Sequence, residues 1–506
     1  MRKFYLSVIA ALVGSMTFTA CSSIEDNAVV PGDNLSGDID MFESVKANEG
    51  DPAVVAALKS IESVAEVKPF INVGKDPDTA LGQCYYIKYK QPVDHNNPAL
   101  GTFEQQVVLT YVGSNAPTIL HTEGYALAGS HGKNLNRLDS IDAPQFMYYY
   151  ADPERNADGS IKFNTNCVQV EYRYHGFSLP EGDENSFKYL NTEQQSKDLH
   201  NIVSDLKKVL LKGKWLSTGV SKNGMTTYEY AYYFPGEMDV YVPFVAPLLY
   251  YSKDSRIGDY VVNKSVTDYL PQIKAAFQKC ANDKTIYDAV AAAYKKKMET
   301  SEVKIKDDSL AFETMSGIIN YLFKKQSYGD IEAWSKFIPK DGDAVDKYVD
   351  FFMMDENDPR ILKKPLDARG PLRWRNDPFE MQIPVDIGNI GWDLSWVMDG
   401  KVFTDAEKKQ MKDYMDNQRD KGSVTLDLSV KIADFLKTTD CKMFFVYGGN
   451  DPWTGGAIDD PTNENVKKLI IKNGTHNDYI MTYTADERKQ LMDFVGSIIF
   501  PTSDAK

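Results

Sequence analysis

Residues 214–218 read as a strand, Gly219-Val220-Ser221-Lys222-Asn223-Gly224 follows it, and a helical pattern begins immediately afterwards. A serine between glycines at such a junction constrains the fold more than any other feature of this chain. The backbone must turn sharply, and strand and helix come so close that small residues are needed around the turn. The serine Oγ is then pushed out over the carboxyl edge of a sheet. The pattern departs from G-x-S-x-G, because Asn223 stands at the second glycine position and Gly224 comes one residue later. Asparagine tolerates unusual backbone angles better than most residues. Taken alone, the junction has a plain strand-to-helix turn as its competing reading.

Two later strand ends narrow the choice. Residues 443–447 form a buried-strand run that ends in Gly448-Gly449-Asn450-Asp451, and residues 466–471 form another that leads to Gly474-Thr475-His476. An acid after a late strand and a histidine after the last one, in the order serine, acid, histidine, is what an α/β-hydrolase triad requires. Ser221 is therefore the expected nucleophile, His476 its general base and Asp451 the group that orients the imidazole. The oxyanion hole is expected from the backbone N–H of Lys222 and from the loop Glu123-Gly124-Tyr125, so that Lys222, Gly124 and Tyr125 are its candidate residues.

The surrounding periodicities fit an α/β fold with a mainly parallel sheet. Strands are expected at 103–111, 118–121, 167–172 and 240–245, with the strand-rich pattern starting near 81. A helix should start at Thr192, with Thr192 and Gln195 as a capping box, and a last one at Thr484, with Glu487 as its capping partner. Residues 254–435 are Lys- and Asp-rich, with helical periodicity and almost no strand signal. They are expected to form a large helical cap inserted into the core, whose two parts are 51–253 and 436–506.

The N-terminus has its own chemistry. Arg2 and Lys3 precede an apolar stretch too short for a permanent span, which ends in Phe18-Thr19-Ala20-Cys21. Residues 1–20 thus read as a lipoprotein signal peptide with Cys21 as the acylated residue. Residues 21–50 read as a flexible tether, and Ser22 and Ser23 favour an outer-membrane destination. The net charge of −15 excludes nucleic acid as a natural partner, since phosphate binding needs clustered Lys and Arg. Cys84, Cys167, Cys280 and Cys441 show no paired or ligand-like spacing. An oxidising compartment permits disulfides whose pairing the sequence does not give, Cys167 and Cys441 beside strand-like runs read as buried free thiols, and no metal or cofactor is expected.

Several blocks in order carry a family resemblance. They are Gln91-Pro-Val-Asp94-His95 with Gly101-Thr-Phe103, Thr122-Glu-Gly-Tyr125, Val170-Glu-Tyr-Arg173-Tyr-His-Gly176-Phe-Ser178, Leu190-Asn-Thr-Glu-Gln194, and the run from Lys214 to Lys222. Together with 239–247 and the 447–476 region they resemble the tripeptidyl aminopeptidases among the prolyl-peptidase-like α/β hydrolases, relatives of prolyl carboxypeptidase and dipeptidyl peptidase II. The resemblance implies a serine exopeptidase that releases short peptides, usually tripeptides, from free N-termini, often with proline before the scissile bond. It also implies carboxylates for the substrate ammonium. Glu123 is one matching position. Asp386 is the other, in Gln382-Ile-Pro-Val-Asp386-Ile-Gly388, where the family element has a glutamate. Trp392, Trp396 and Trp453 are candidates for a proline pocket, whereas His95, His121 and His175 read as structural. The competing functions are an esterase using the same triad and a binding lipoprotein without catalysis.

Overall fold

The computed structural model describes residues 47–500 except 73–79, 128–144, 158, 181–186, 265–267, 301–304, 307–308, 355–357, 359, 361–381, 383–385, 389, 392–393, 417–425 and 479. The stretches read as signal peptide and, in most of its length, as tether, with Cys21, and also Trp392, lie outside the described residues.

One nine-stranded sheet organises the chain, in the order β1-β2-β3-β5-β4-β6-β7-β8-β9. Its strands are β1 (Val64–Asn72), β2 (Gly82–Pro92), β3 (Thr102–Thr110), β4 (Thr118–Thr122), β5 (Asn166–Val170), β6 (Trp215–Val220), β7 (Val240–Phe244), β8 (Met443–Gly448) and β9 (Val466–Ile471). β1, β2 and β3 pair antiparallel, and β3 pairs antiparallel with β5. From β5 through β4, β6, β7 and β8 to β9 every pairing is parallel. This is the α/β-hydrolase arrangement with an extra edge strand. That strand was not anticipated: the sheet begins at Val64, after a helix over Pro52–Lys59, rather than near 81. The polar alternation in β1 leaves only Val67, Phe70 and Asn72 buried, too weak a period-2 signal to stand out.

The parallel strands β4 to β8 are buried along most of their length, as sheets covered on both faces require, whereas the edge strand β9 is buried only at Val466 and Ile471. One face carries helix α1 (Thr192–Val209) and helix α2 (Lys222–Tyr233), with Leu199, Ile202, Val203 and Leu206 turned inward. On the other face lies the closing helix Ala485–Ile499, whose Leu491 and Val495 pack with Phe146, Val242 and Val446. Thr484 and Glu487 form the expected reciprocal cap there. The start of α1 differs from expectation. Asn191 is the N-cap and accepts from the Gln194 N–H, while Thr192 and Gln195 turn their side chains to Asp386 and to the Arg173 N–H. Tertiary partners outbid the local box.

Between β7 and β8 the described residues contain helices and no strand. Among them are α3 (Leu310–Tyr328), which reaches the catalytic edge, and α4 (Asp427–Thr438), which leads into β8. The register shows what this architecture is for. Val220 pairs with Phe244, Phe244 with Val446 and Gly448 with Ile471, so β6 to β9 end in line along one carboxyl edge. Ser221, Asp451 and His476 follow β6, β8 and β9 on that edge.

Candidate active site

Ser221 sits in a left-handed conformation, φ 61° and ψ −124°, one of four non-glycine residues with positive φ among those described. Such strain is stored where surrounding structure over-determines it. Here the Ser221 N–H is held by the Phe244 carbonyl at 2.8 Å, and the Ser221 carbonyl accepts from the Met225 N–H at 2.8 Å as α2 opens. A Cβ on Gly219 would lie 2.4 Å from the Asn223 carbonyl, and one on Gly224 would lie 2.9 Å from Ala246 Cβ. The second glycine of the elbow has therefore moved by one place. Gly224 permits the close approach to β7, which frees position 223 for a working side chain.

Asn223 uses that freedom. Its Oδ1 accepts the Gly124 N–H at 2.7 Å, its Nδ2 donates to Glu123 Oε2 at 2.7 Å, and its carbonyl accepts from Thr122 Oγ1 at 2.6 Å. The Glu123–Tyr125 loop is thus pinned to the nucleophile turn. Two expectations change. The Gly124 N–H is directed at Asn223 rather than at a reacting oxygen. Glu123 spends one oxygen on Asn223 and holds the other 3.6 Å from His121 Nδ1, so it braces the loop. Burial drives the Glu123 carboxyl well above its usual range, with the Asn223 hydrogen bond opposing. Burial also pushes His121 down to about 4.

Asp451 caps the short turn Pro452–Gly456, its Oδ1 accepting the Trp453 N–H at 3.2 Å, and its Oδ2 lies 2.7 Å from His476 Nδ1. Asp451 and His476 are essentially removed from solvent. The bond to Asp451 through Nδ1 leaves Nε2 as the ring atom for proton transfer. α3 contributes the roof: the Ser327 carbonyl accepts the His476 N–H at 3.0 Å, and the Tyr328 ring stands edge-on to the imidazole at 5.4 Å. Trp453 flanks the same ring at 6.5 Å, whereas Trp396 packs on Phe277 within the helical insertion.

Lys222, the first residue of α2, starts a helix end whose dipole favours developing negative charge. Its side chain folds back, donates to the Gly124 carbonyl and lies over the rings of Tyr172 and Tyr125 at 4.2 and 4.8 Å. Beside it, Asp386 Oδ2 accepts from the N–H and Oγ1 of Thr192 at 2.7 and 2.6 Å, and burial raises the Asp386 carboxyl. Asp386 thus comes from the helical insertion to the mouth of α1, on the nucleophile's side of the sheet.

The conspicuous sequence blocks prove to be mutual supports. Arg173 grips Asp198 through Nε and Nη2 at 2.8 and 2.9 Å and donates to the Val93 and Tyr189 carbonyls, and His95 Nε2 meets the same aspartate at 2.7 Å. Glu171 Oε2 accepts the N–H groups of Phe177 and Ser178 and the Ser178 hydroxyl. Ion pairs of this kind are costly to break singly, at about 3–5 kcal/mol.

Residues 66–347 match the family described as PS-10 peptidase S37. This chain belongs to that family. Within it, the S37 chain is 33% identical to the prolyl tri/tetrapeptidyl aminopeptidase of Streptomyces mobaraensis over 159 residues, or 31% of this chain and 28% of that protein. The matched region therefore spans under a third of that relative. Among solved structures, VinJ aligns at a TM-score of 0.35 with 13% identity, covering 81% of this chain and 99% of its own. The proline iminopeptidase of Mycobacterium smegmatis aligns at 0.34 with 11% identity, covering 82% and 100%. At these scores the likenesses add nothing to the strand order given above. The S37 peptidase shows no cluster of His, Cys, Asp and Glu suited to a metal among its described residues. Its four described cysteines are free and buried.

Proposed function

We propose that this chain is a serine exopeptidase that releases short peptides, chiefly tripeptides, from free N-termini, often after proline. The observation that carries the reading is the buried Asp451–His476 pair, aligned on the same carboxyl edge as Ser221 and roofed by α3. A roofed edge suits chain ends better than the middle of a folded protein. Ser221 Oγ attacks the scissile carbonyl while His476 Nε2 takes its proton and Asp451 stabilises the imidazolium. His476 then protonates the leaving amine, and water repeats the sequence to free the peptide acid. The Lys222 N–H is the first oxyanion donor. With the Gly124 N–H turned to Asn223, Tyr125 is the loop residue left to provide the second.

Asp386 supports amine recognition, which a neutral ester substrate would not need. The leader ending at Cys21 supports a lipid-anchored enzyme at the outer membrane, working on peptides outside the cytoplasm. The test is hydrolysis of two tripeptide chromogens ending in proline, one with a free amine and one N-acetylated. The proposal expects turnover of the first alone, lost in Ser221→Ala. Equal turnover of both would refute the exopeptidase assignment, and hydrolysis of simple esters alone would favour an esterase.

A further inference from the structure

Glu229 lies in the buried face of α2, 4% exposed, and its carboxylate makes no hydrogen bond or ion pair within range among the described residues. An ionisable side chain is rarely buried in that condition. Its surroundings are specific. Burial drives the Glu229 carboxyl well above its usual range; the charge of Asp386 is felt at Glu229, both carboxylates are felt at Tyr172 and Tyr228, and Lys222 is the cation whose field opposes the shift on Glu229. Asp386, 5% exposed, satisfies Oδ2 on Thr192 but has no partner for Oδ1.

Two further buried side chains keep an unused atom, and one of them, Gln382, meets Tyr172. Gln382 donates to the Tyr172 hydroxyl at 3.0 Å and leaves Oε1 unpartnered, and Gln195 accepts from the Arg173 N–H and leaves Nε2 unpartnered. They are 0% and 1% exposed. Elsewhere in such a core a buried polar atom is nearly always bonded. Here two carboxyls and an amide side chain gather about Tyr172, burial pushes both carboxyls up, and Lys222 is the cation whose field acts on both. An arriving ammonium group would favour their ionised forms and supply donors to the carboxylate oxygens.

Helix geometry adds a length. Ser221 caps α2 and Glu229 is eight residues further, which is about 12 Å along the axis at ~1.5 Å per residue. Helical side chains lean toward the N-terminus, which shortens the reach to roughly 10 Å. An extended peptide advances ~3.3–3.6 Å per residue, so three residues bring a free amine to about that distance from the carbonyl under attack. Two residues fall short by some 3 Å, and four overshoot.

We infer that Glu229 and Asp386 together receive the substrate's N-terminal ammonium, and that the placement of Glu229 along α2 selects tripeptides. The inference rests on the exopeptidase reading but adds a residue and a ruler to it. Gln382 completes the receptor by engaging the backbone of the first substrate residue.

The test uses the full chain in detergent with di-, tri- and tetrapeptidyl chromogens, each with a free or acetylated amine. Wild type should favour the free-amine tripeptide. Glu229→Gln should raise its KM about 10- to 100-fold with kcat within about threefold, and should flatten the preference between lengths. Labelling of Ser221 by a fluorophosphonate, which has no amine, should stay near the wild-type rate. If Glu229→Gln impairs that labelling, Glu229→Asp carries the test: it retains the charge, and should keep the free-amine preference while weakening the tripeptide optimum. Unchanged KM and length preference in a labelled variant would overturn the role of Glu229 and leave the exopeptidase reading standing. A wild type indifferent to acetylation would overturn both.

Discussion

Replacing Asn223 with alanine removes two partly buried hydrogen bonds at once, the acceptor for the Gly124 N–H and the donor to Glu123, each 2.7 Å long. Each group left without its partner costs about 1–3 kcal/mol, so the substitution should destabilise the fold by roughly 2–6 kcal/mol. Its larger effect should be on turnover. With the Glu123–Tyr125 loop unpinned, the second oxyanion donor is no longer held in place, and losing such a donor outright costs on the order of 10²–10³ in kcat. A loosened donor should cost about 10- to 100-fold, with KM little changed because ground-state binding does not use it. Urea unfolding and steady-state hydrolysis read the two effects separately. Asn223→Asp sharpens the test. It keeps an acceptor for Gly124 but sets a second carboxyl against Glu123, whose own is already pushed up by burial. The pair then shares a proton at low pH and loses it as pH rises, when like charges repel across the loop. Activity relative to wild type should therefore fall from pH 6 to pH 8. An Asn223→Ala enzyme with kcat within twofold of wild type, or an Asn223→Asp enzyme with an unaltered pH profile, would refute the clamp.

Asp451→Asn should leave the fold intact and lower kcat by about 10⁴, because an amide no longer enforces the imidazole tautomer that the 2.7 Å bond to Nδ1 sets; steady-state kinetics with the tripeptide chromogen measures it. Gly176→Ala should destabilise by at least about 1–3 kcal/mol in urea unfolding, since φ is +52° and the new Cβ would lie 2.0 Å from Glu171 Oε1. A matching melt in which Gly236→Ala (φ +79°, nothing within 4 Å) costs as much would show that backbone strain alone is responsible. Cys21→Ser should abolish incorporation of labelled fatty acid and release the protein from membranes, without lowering kcat of the solubilised enzyme.

Much of this protein was legible in its sequence because local physics is strong there. Buried parallel strands are nearly continuous apolar runs, so β6 to β8 fall within two residues of expectation at either end; the partly exposed edge strand β9 also falls at 466–471 as read. Chain order and strand ends alone brought Ser221, Asp451 and His476 to one edge. What no local pattern contains is the partner of a polar side chain. Asn223 looked like a blemish in a motif and is a clamp, because Gly224 absorbs the close contact with β7. Glu123 looked like an amine ligand, and in the fold its Oε2 holds Asn223. Thr192 looked like a helix cap and instead reaches Asp386, 194 residues away in the chain. Glu229 gave no signal at all, lying in a stretch of aromatic and small residues. The hydrophobic pattern is written into neighbouring residues, whereas a hydrogen bond or a buried charge belongs to whichever distant group the packed sheet and its helical insertion bring within 3 Å.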